Sequence, residues 1–371
     1  MAWTSKDRVA AVLNFEIPDR IPKQDLYWPE TIQRWTEEGL PRNLGALGVD
    51  LPAYFDEESP INSWLSDYFG HDMRQIGLDN TLQLPEELLD ETDNYIVKRN
   101  ADGMTVKHFK EASGPPQMID VLVKTREDWN EYKSRLAYSR NRLKVDPETY
   151  HRWRKHGLFI YARTNEPYVH TWHFHGVENT LMDMVNDPGL VRDMFQTSAD
   201  LTIAMVQDLF SSGYPVDALV LGGDMCYRNG PLFSPQFYEE LLLPFDRMIC
   251  NACRDLGIPV ILHTDGDCRS LIPLYIKAGF RGLHPLEAKA GMDLRELKKI
   301  YNGRLVLFGN IDVRALGGTK EDVRTEMLSK ITAGKEGGGY IYHSDNSVPP
   351  SVSYDNYLLA MSLLEEHGIY Y

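Results

Sequence analysis

From about residue 157 to the C-terminal end, short apolar runs alternate with longer stretches of helical periodicity, and no other feature constrains the fold as much. The runs are Leu158-Phe-Ile-Tyr-Ala, Ala218-Leu-Val-Leu, Val260-Ile-Leu-His, Gly282-Leu-His, Leu305-Val-Leu-Phe and Tyr340-Ile-Tyr-His. Helices are predicted between them near 189–212, 234–256, 268–278, 292–301, 318–333 and 354–367. Strict β/α order implies a parallel sheet, and strands this apolar are covered on both faces. Repeated so often in one chain, the pattern favours an α/β fold of the closed (β/α)₈ TIM-barrel type over an open doubly wound sheet. No Gly-x-Gly-x-x-Gly follows the first strand, which weakens the nucleotide-binding form of the open sheet.

The chain before residue 157 is mixed. Ser5 to Phe15 reads as a short helix behind a Thr4/Ser5 cap, stopped by Pro18. Arg20-Ile-Pro-Lys-Gln-Asp-Leu-Tyr is expected as a first strand, followed by a Pro29-initiated helix to about Glu38. From about 69 to 112 the sequence is turn-rich, and Asp102-Gly103 between two alternating runs signals a β-hairpin. This stretch is expected as a β-rich excursion inserted into one domain spanning 1–371, a length that a barrel can fill with a single core.

Charge and cysteine usage exclude several classes. With 39 Lys+Arg against 54 Asp+Glu the net charge is −15, and no basic cluster offers phosphate neutralisation, so no nucleic-acid partner is expected. No uncharged apolar run approaches the ~18–20 residues of a membrane span, and Met1-Ala-Trp-Thr-Ser-Lys-Asp-Arg lacks a signal-type apolar stretch, so the expected location is cytoplasmic. Cys226, Cys250, Cys253 and Cys268 are too few for a disulfide scaffold. Cys250-x-x-Cys253 falls within a helical segment with no second pair at zinc-finger spacing and is read as structural.

In a parallel barrel the active site lies beyond the C-terminal ends of the strands. The residues there form one constellation: Arg163, Asn165 and Glu166, then Asp224 and Tyr227, then His263, Asp265 and Asp267, then His284 and Glu287, then Asn310 and Asp312, and last His343 and Asp345. Any one of these could merely cap a helix or satisfy a loop. Together, His263, Asp265, Glu287, Asp312, His343 and Asp345 at one mouth could bind a divalent metal or raise one another's carboxylate pKa values. His170, His173 and His175 resemble a metal site, but their spacing does not share one helical face, and pocket-lining or loop roles fit them better. Met225, Tyr227, Phe233, Trp172 and Phe174 could wall a pocket for a bulky substrate.

These residues resemble the uroporphyrinogen decarboxylase-like superfamily, which includes cobalamin-linked methyltransferases. The resemblance covers about residues 5 to 366 and rests on Asp7-Arg-Val-Ala-Ala-Val-Leu-Asn with Pro18-Asp-Arg-Ile-Pro, Gly230-Pro-Leu-Phe-Ser-Pro, His263-Thr-Asp-Gly-Asp, His284-Pro-Leu-Glu, Phe308-Gly-Asn-Ile-Asp, Gly337-Gly-Gly-Tyr-Ile and Ser347-Val-Pro-Pro-Ser. It implies a (β/α)₈ barrel. Decarboxylases of the family use an arginine-rich motif after the first strand to hold an eight-carboxylate tetrapyrrole. Here that stretch reads Pro22-Lys-Gln-Asp-Leu-Tyr-Trp-Pro, and buried carboxylates without guanidinium partners are costly. The methyltransferase branch holds Zn²⁺ through His-x-Cys after one strand and a Cys near the last. This chain keeps the histidine as His263, places Asp265 at the first Cys position and Asn346 at the second. A harder oxygen/nitrogen set, His263, Asp265 and Glu287, remains available to zinc.

The expectation is therefore a corrinoid-dependent methyltransferase, of the O-demethylase kind, moving a methyl group from a small methoxylated or methylamine-type donor to a corrinoid protein. No cobalamin-binding Asp-x-His-x-x-Gly motif is present, so the corrinoid would arrive on that partner. His263, Asp265 and Glu287 are expected to polarise the leaving atom, with Asp224 beside them as a further catalytic residue. Asp224 and Tyr227 would also orient the substrate, with Arg163, Asn165, Trp172, Asn310, Asp312, His343 and Asp345 lining the site. The alternatives are a decarboxylase of a tetrapyrrole or aromatic acid and a non-enzymatic binding barrel. A homodimer is compatible with the sequence.

Overall fold

Seven strands of one sheet begin at Met73 and end at Ile341, and the computed structural model, which describes residues 2–41, 60–110 and 116–370, arranges them in chain order. They are β1 (Met73–Leu78), β7 (Phe159–Asn165), β8 (Ala218–Gly222), β11 (Val260–His263), β12 (Gly282–Leu286), β13 (Val306–Gly309) and β14 (Tyr340–Ile341), each parallel to its neighbours. Four further strands, β2 (Glu87–Glu91), β3 (Tyr95–Arg99), β4 (Thr105–Phe109) and β5 (Gln117–Asp120), form a separate antiparallel sheet. Two-residue β6 (Leu143–Lys144) pairs antiparallel with β1, and β9 (Cys226–Tyr227) pairs with β10 (Gly230–Pro231) in a small hairpin. The protein is thus a mixed α/β fold with a largely parallel main sheet.

The six apolar runs all became strands of that sheet, because each buries both faces. Side chains alternate along a strand. One parity, Met73, Phe159, Tyr161, Ala218, Val220, Ile261, Val306, Phe308 and Ile341, forms an inner cluster. The other, including Ile76, Ile160, Ala162, Leu219, Leu221, Leu262, Leu283 and Leu307, packs into the larger cluster shared with the surrounding helices. Val9, Val12 and Leu13 of the helix Ser5–Leu13 join the inner cluster and cover one end of it. That helix starts at a capping box in which Thr4 and Asp7 exchange hydrogen bonds, as its sequence signals.

The expected first strand is irregular. Between Arg20 and Tyr27 it makes only single bridges, Arg20 to Ile369 near the C-terminal end and Lys23 to Tyr342 and Tyr27 to Val348 on the β14 side. On the other side Asp72 N–H donates to Lys23 O at 2.9 Å, next to the start of β1. The segment thus hydrogen-bonds to both edges of the sheet. Pro22 interrupts a ladder by removing one donor.

The β excursion differs from its expected bounds. Residues 73–78, placed within the 69–112 insertion by sequence, belong to the main sheet as β1, and the antiparallel sheet runs from Glu87 to Asp120. The turn-rich composition spanned both and masked the change of sheet; 111 and 112 lie outside the described residues. The hairpin itself is as expected, β3 pairing β4 across Ala101-Asp-Gly. The predicted helices lie close to their expected bounds, with one irregularity, while Pro60–Tyr68, Arg126–Tyr132, Pro147–Lys155, Pro167–His175 and Val177–Asn186 are helices the sequence pattern did not mark. The helix Leu243–Asp255 is preceded by a π-turn over Tyr238–Leu242, where Pro244 cannot donate to Glu240 O and Arg192 Nη2 takes that carbonyl at 2.6 Å. Cys250 and Cys253 are buried free thiols of this helix, consistent with a structural role. Among the described residues, no helix is long and apolar enough to cross a membrane.

Candidate metal centre at the strand ends

His263 closes β11 on the inward parity of Ile261, and the same alternation brings His284 inward at β12 and His343 just past β14. The register pairs His263 with His284, and their Nδ1 atoms lie 2.8 Å apart. His284 is held edge-on to His343, with ring centroids 4.4 Å apart, and to Phe308 at 5.7 Å. Burial, reinforced by His343, His263 and Arg163, holds His284 well below the usual imidazole range, so it is neutral.

Three donors meet at this mouth. Asp224, His263 and Asp265 each present an oxygen or nitrogen within 4.8 Å of the others'. His263 Nε2 lies 3.6 Å from Asp224 Oδ1, and the Asp265 backbone N–H is 3.4 Å from that same oxygen. Asp224 is half-exposed, whereas Asp265 turns its Oδ1 into the interior with no hydrogen-bond partner. Burial, with the charges of Asp224 and Glu287, pushes the Asp265 carboxyl up to about 8. Gly266 makes the approach feasible: at φ +82°, a Cβ there would meet Tyr227 N and O at 2.7 Å.

The structure brings Asp224 rather than Glu287 to His263 and Asp265. Glu287 has both oxygens engaged, Oε2 accepting Gly266 N–H at 2.6 Å and Oε1 paired with Lys289 at 2.8 Å. It supports the Asp265 loop from behind. Three more expected site residues are occupied as braces. Asp345 accepts Ala288 N–H and Val313 N–H, both at 3.0 Å, joining two neighbouring loops; burial raises its carboxyl to about 6. Asp312 caps the short helix Val313–Leu316 and pairs with Arg314. Asn310, fully buried in a left-handed conformation at φ +75°, accepts Leu294 N–H at 2.9 Å and the Lys330 amine and donates to Leu286 O and Met292 O. Its amide is fully used, which leaves nothing for a ligand.

His343 Nδ1 donates to Ser344 O at 2.6 Å, and its Nε2 is buried with no hydrogen-bond partner. Behind it lies Asp25, which sequence reasoning left unassigned: fully buried, it accepts Ser344 N–H at 2.8 Å and the Tyr357 hydroxyl at 2.9 Å, and burial raises its carboxyl. A small cavity of about 20 Å³ lies beside His263 and His284, walled also by Arg163, Gln24, Tyr161 and apolar residues. Asn165 lies close to Gly222 at the end of β8. Tyr227 is 51% exposed, and Trp172 is partly buried against the outer core. His170, His173 and His175 do not converge; they pair separately with Ser198, Asp102 and Asp183. His284 carried a readable signal, since it shares His263's parity on the next strand.

A sequence profile described as uroporphyrinogen decarboxylase (URO-D) matches residues 168–367. Curated relatives include a uroporphyrinogen decarboxylase of Syntrophotalea carbinolica, 24% identical over 131 residues, 34% of this chain and 36% of that protein. Another is the methylcobamide:CoM methyltransferase MtbA of Methanosarcina acetivorans, 22% identical over 227 residues, 58% of this chain and 62% of that protein. The chain therefore spans less than two thirds of the length of each of these relatives. A solved methyltransferase from Methanosarcina mazei superposes with a TM-score of 0.66 at 13% identity, covering 98% of this chain and 99% of that one, and shares the fold.

Proposed function

The chain belongs to the uroporphyrinogen decarboxylase (URO-D) family, and from that footing we propose that it is a methyltransferase passing a methyl group between a small substrate and a corrinoid protein. The observation that carries the reading is the Asp224/His263/Asp265 cluster at the ends of adjacent strands β8 and β11. We take the fold to be a (β/α)₈ barrel in a single domain, closed by the irregular segment 20–27, so that the cluster opens at the catalytic end. The methylcobamide methyltransferase named above supplies the analogy for the corrinoid partner. A cytoplasmic location and a homodimeric assembly, with no membrane or nucleic-acid partner, complete the reading.

A divalent cation such as zinc fits the residues present. Asp265 Oδ1 is buried without a hydrogen-bond partner, and one imidazole with two carboxylates is a donor set zinc accepts. Bound there, the cation acts as a Lewis acid on the atom that loses or gains the methyl group. The chain's own groups do the rest. Asp224, His263 and Asp265 would hold the cation. Glu287 and Lys289 hold the Asp265 loop through Gly266. Arg163, Asn165, Tyr227 and Trp172 orient the substrate, a methoxylated or methylamine-type compound, over the small cavity.

A decarboxylase of tetrapyrrole or aromatic acids is the competing reading, favoured by the family profile. Against it stands the segment after Pro22, where the buried charged side chains are Lys23, already paired with Glu365, and the acidic Asp25. Neither supplies the guanidinium pair that an octacarboxylate requires. The decisive assay supplies methylated donors with cob(I)alamin and, separately, uroporphyrinogen. Methylcobalamin formation, followed by its absorbance, is the expected result, and carbon dioxide release from uroporphyrinogen without methyl transfer would overturn it.

A further inference from the structure

His263 and His284 face each other across β11 and β12 with their Nδ1 atoms 2.8 Å apart. At that separation two N–H groups would clash and two lone pairs would repel, so one nitrogen donates and the other accepts. The opposite nitrogen of His263, Nε2, faces Asp224 within the three-donor cluster. A neutral imidazole that offers Nε2 to a cation carries its proton on Nδ1. The bond can then run only one way, from His263 Nδ1–H to His284 Nδ1.

We propose that His284 is the positioning residue of the metal centre, accepting the His263 proton and so fixing the tautomer and ring plane in which His263 Nε2 meets the cation. The inference rests on the metal-centre reading above. His284 is suited to the task because its own ring is locked, edge-on to His343 with an interplanar angle of 83° and to Phe308 with one of 85°. The usual acceptor behind a ligating histidine is a carboxylate or a carbonyl. A neutral imidazole adds no third negative charge to a centre that already holds Asp224 and Asp265. It therefore leaves more of the cation's charge to act on the substrate.

The test uses the full-length protein stripped of metal and titrated with Zn²⁺ against a chromophoric chelator. Wild type is expected to take up one equivalent, and His284→Ala to bind roughly 10–100-fold more weakly. His284→Asn, whose amide oxygen can stand where Nδ1 accepts, is expected to recover most of the affinity. Circular dichroism melts of each metal-free variant separate lost positioning from lost folding. Nitrogen–proton correlation NMR of the metal-free protein should show His263 protonated at Nδ1 in wild type and a mixture of tautomers in His284→Ala, a change a merely structural His284 would not produce. If wild type itself takes up no zinc, the metal-centre reading falls and this inference with it. Should wild type bind zinc while folded His284→Ala binds it equally well, or should His263 carry its proton on Nε2, the inference alone is overturned.

Discussion

Glu287 is a buried carboxylate and Asp265 a half-buried one at the same strand ends, and their hydrogen bonds separate their roles. Glu287 is satisfied by Gly266 N–H and Lys289, whereas Asp265 keeps one oxygen without a partner. Asp265→Ala should therefore abolish stoichiometric zinc in protein analysed by atomic absorption, while Glu287→Gln should retain the metal and lower stability by about 1–3 kcal/mol, read from denaturant midpoints. A second pair, this one buried, makes a pH prediction. Glu166 caps the helix Pro167–His175 with one oxygen, Asp246 accepts the Tyr238 hydroxyl at 2.5 Å, and the remaining oxygens face each other without another donor. Burial raises both carboxyls, Asp246 to about 7, so the folded state holds a proton that the unfolded chain releases near pH 4. Stability from this pair is complete below about pH 4 and lost as pH rises to about 7. Asp246→Asn keeps the shape without the titration, so its Tm advantage over wild type should grow across that window and then level off. Neither the Glu287 brace nor this pair is legible in sequence, because partners 21 and 80 positions apart meet only through the fold.

At the scale of elements, the segment 20–27 is tied to the approach to β1 through Asp72 rather than through a regular ladder. Fully buried, Asp72 accepts Arg8 Nη1 at 2.8 Å, Arg20 through two nitrogens at 2.8 and 2.9 Å, Lys23 N–H at 2.9 Å and Ser5 Oγ at 2.7 Å. One carboxylate thus joins the first helix, the segment 20–27 and the approach to β1. Asp72→Ala takes the carboxylate partner from Arg20, leaves Arg8 only its pair with Asp19, and should cost roughly 3–5 kcal/mol. A urea unfolding midpoint that stays at the wild-type value would show that stability does not depend on this contact. The sequence displayed the pieces, since Asp7-Arg and Pro18-Asp-Arg-Ile-Pro stood out as motifs. It did not display the knot, because Asp72 lies in a stretch that reads as turn-rich and its role depends on partners 49 to 67 residues away. The same blindness assigned β1 to the antiparallel excursion, whose local alternation is indistinguishable from that of a main-sheet strand.

Across the whole molecule, two apolar layers divide the work. The larger one attaches helices to strands, and the smaller one lines the opposite face of the sheet and supports the histidines at the strand ends. Phe308 belongs to the smaller layer and touches His284 edge-on. Phe308→Ala should lower stability by about 3–5 kcal/mol in thermal or denaturant melts. It should also weaken zinc binding, because the space it leaves lets His284 turn away from His263. What the sequence determined by itself was the alternation of strands and helices beyond residue 157 and the gathering of polar residues at the strand ends. Those follow from periodicities of two and 3.6 residues, which are local. Only the tertiary structure decided that Asp224 joins His263 and Asp265 while Glu287, Asn310, Asp312 and Asp345 serve as braces. Which buried polar atom is already satisfied depends on distances between loops far apart in the chain, and a carboxylate with two hydrogen bonds looks the same in sequence as one with an oxygen to spare.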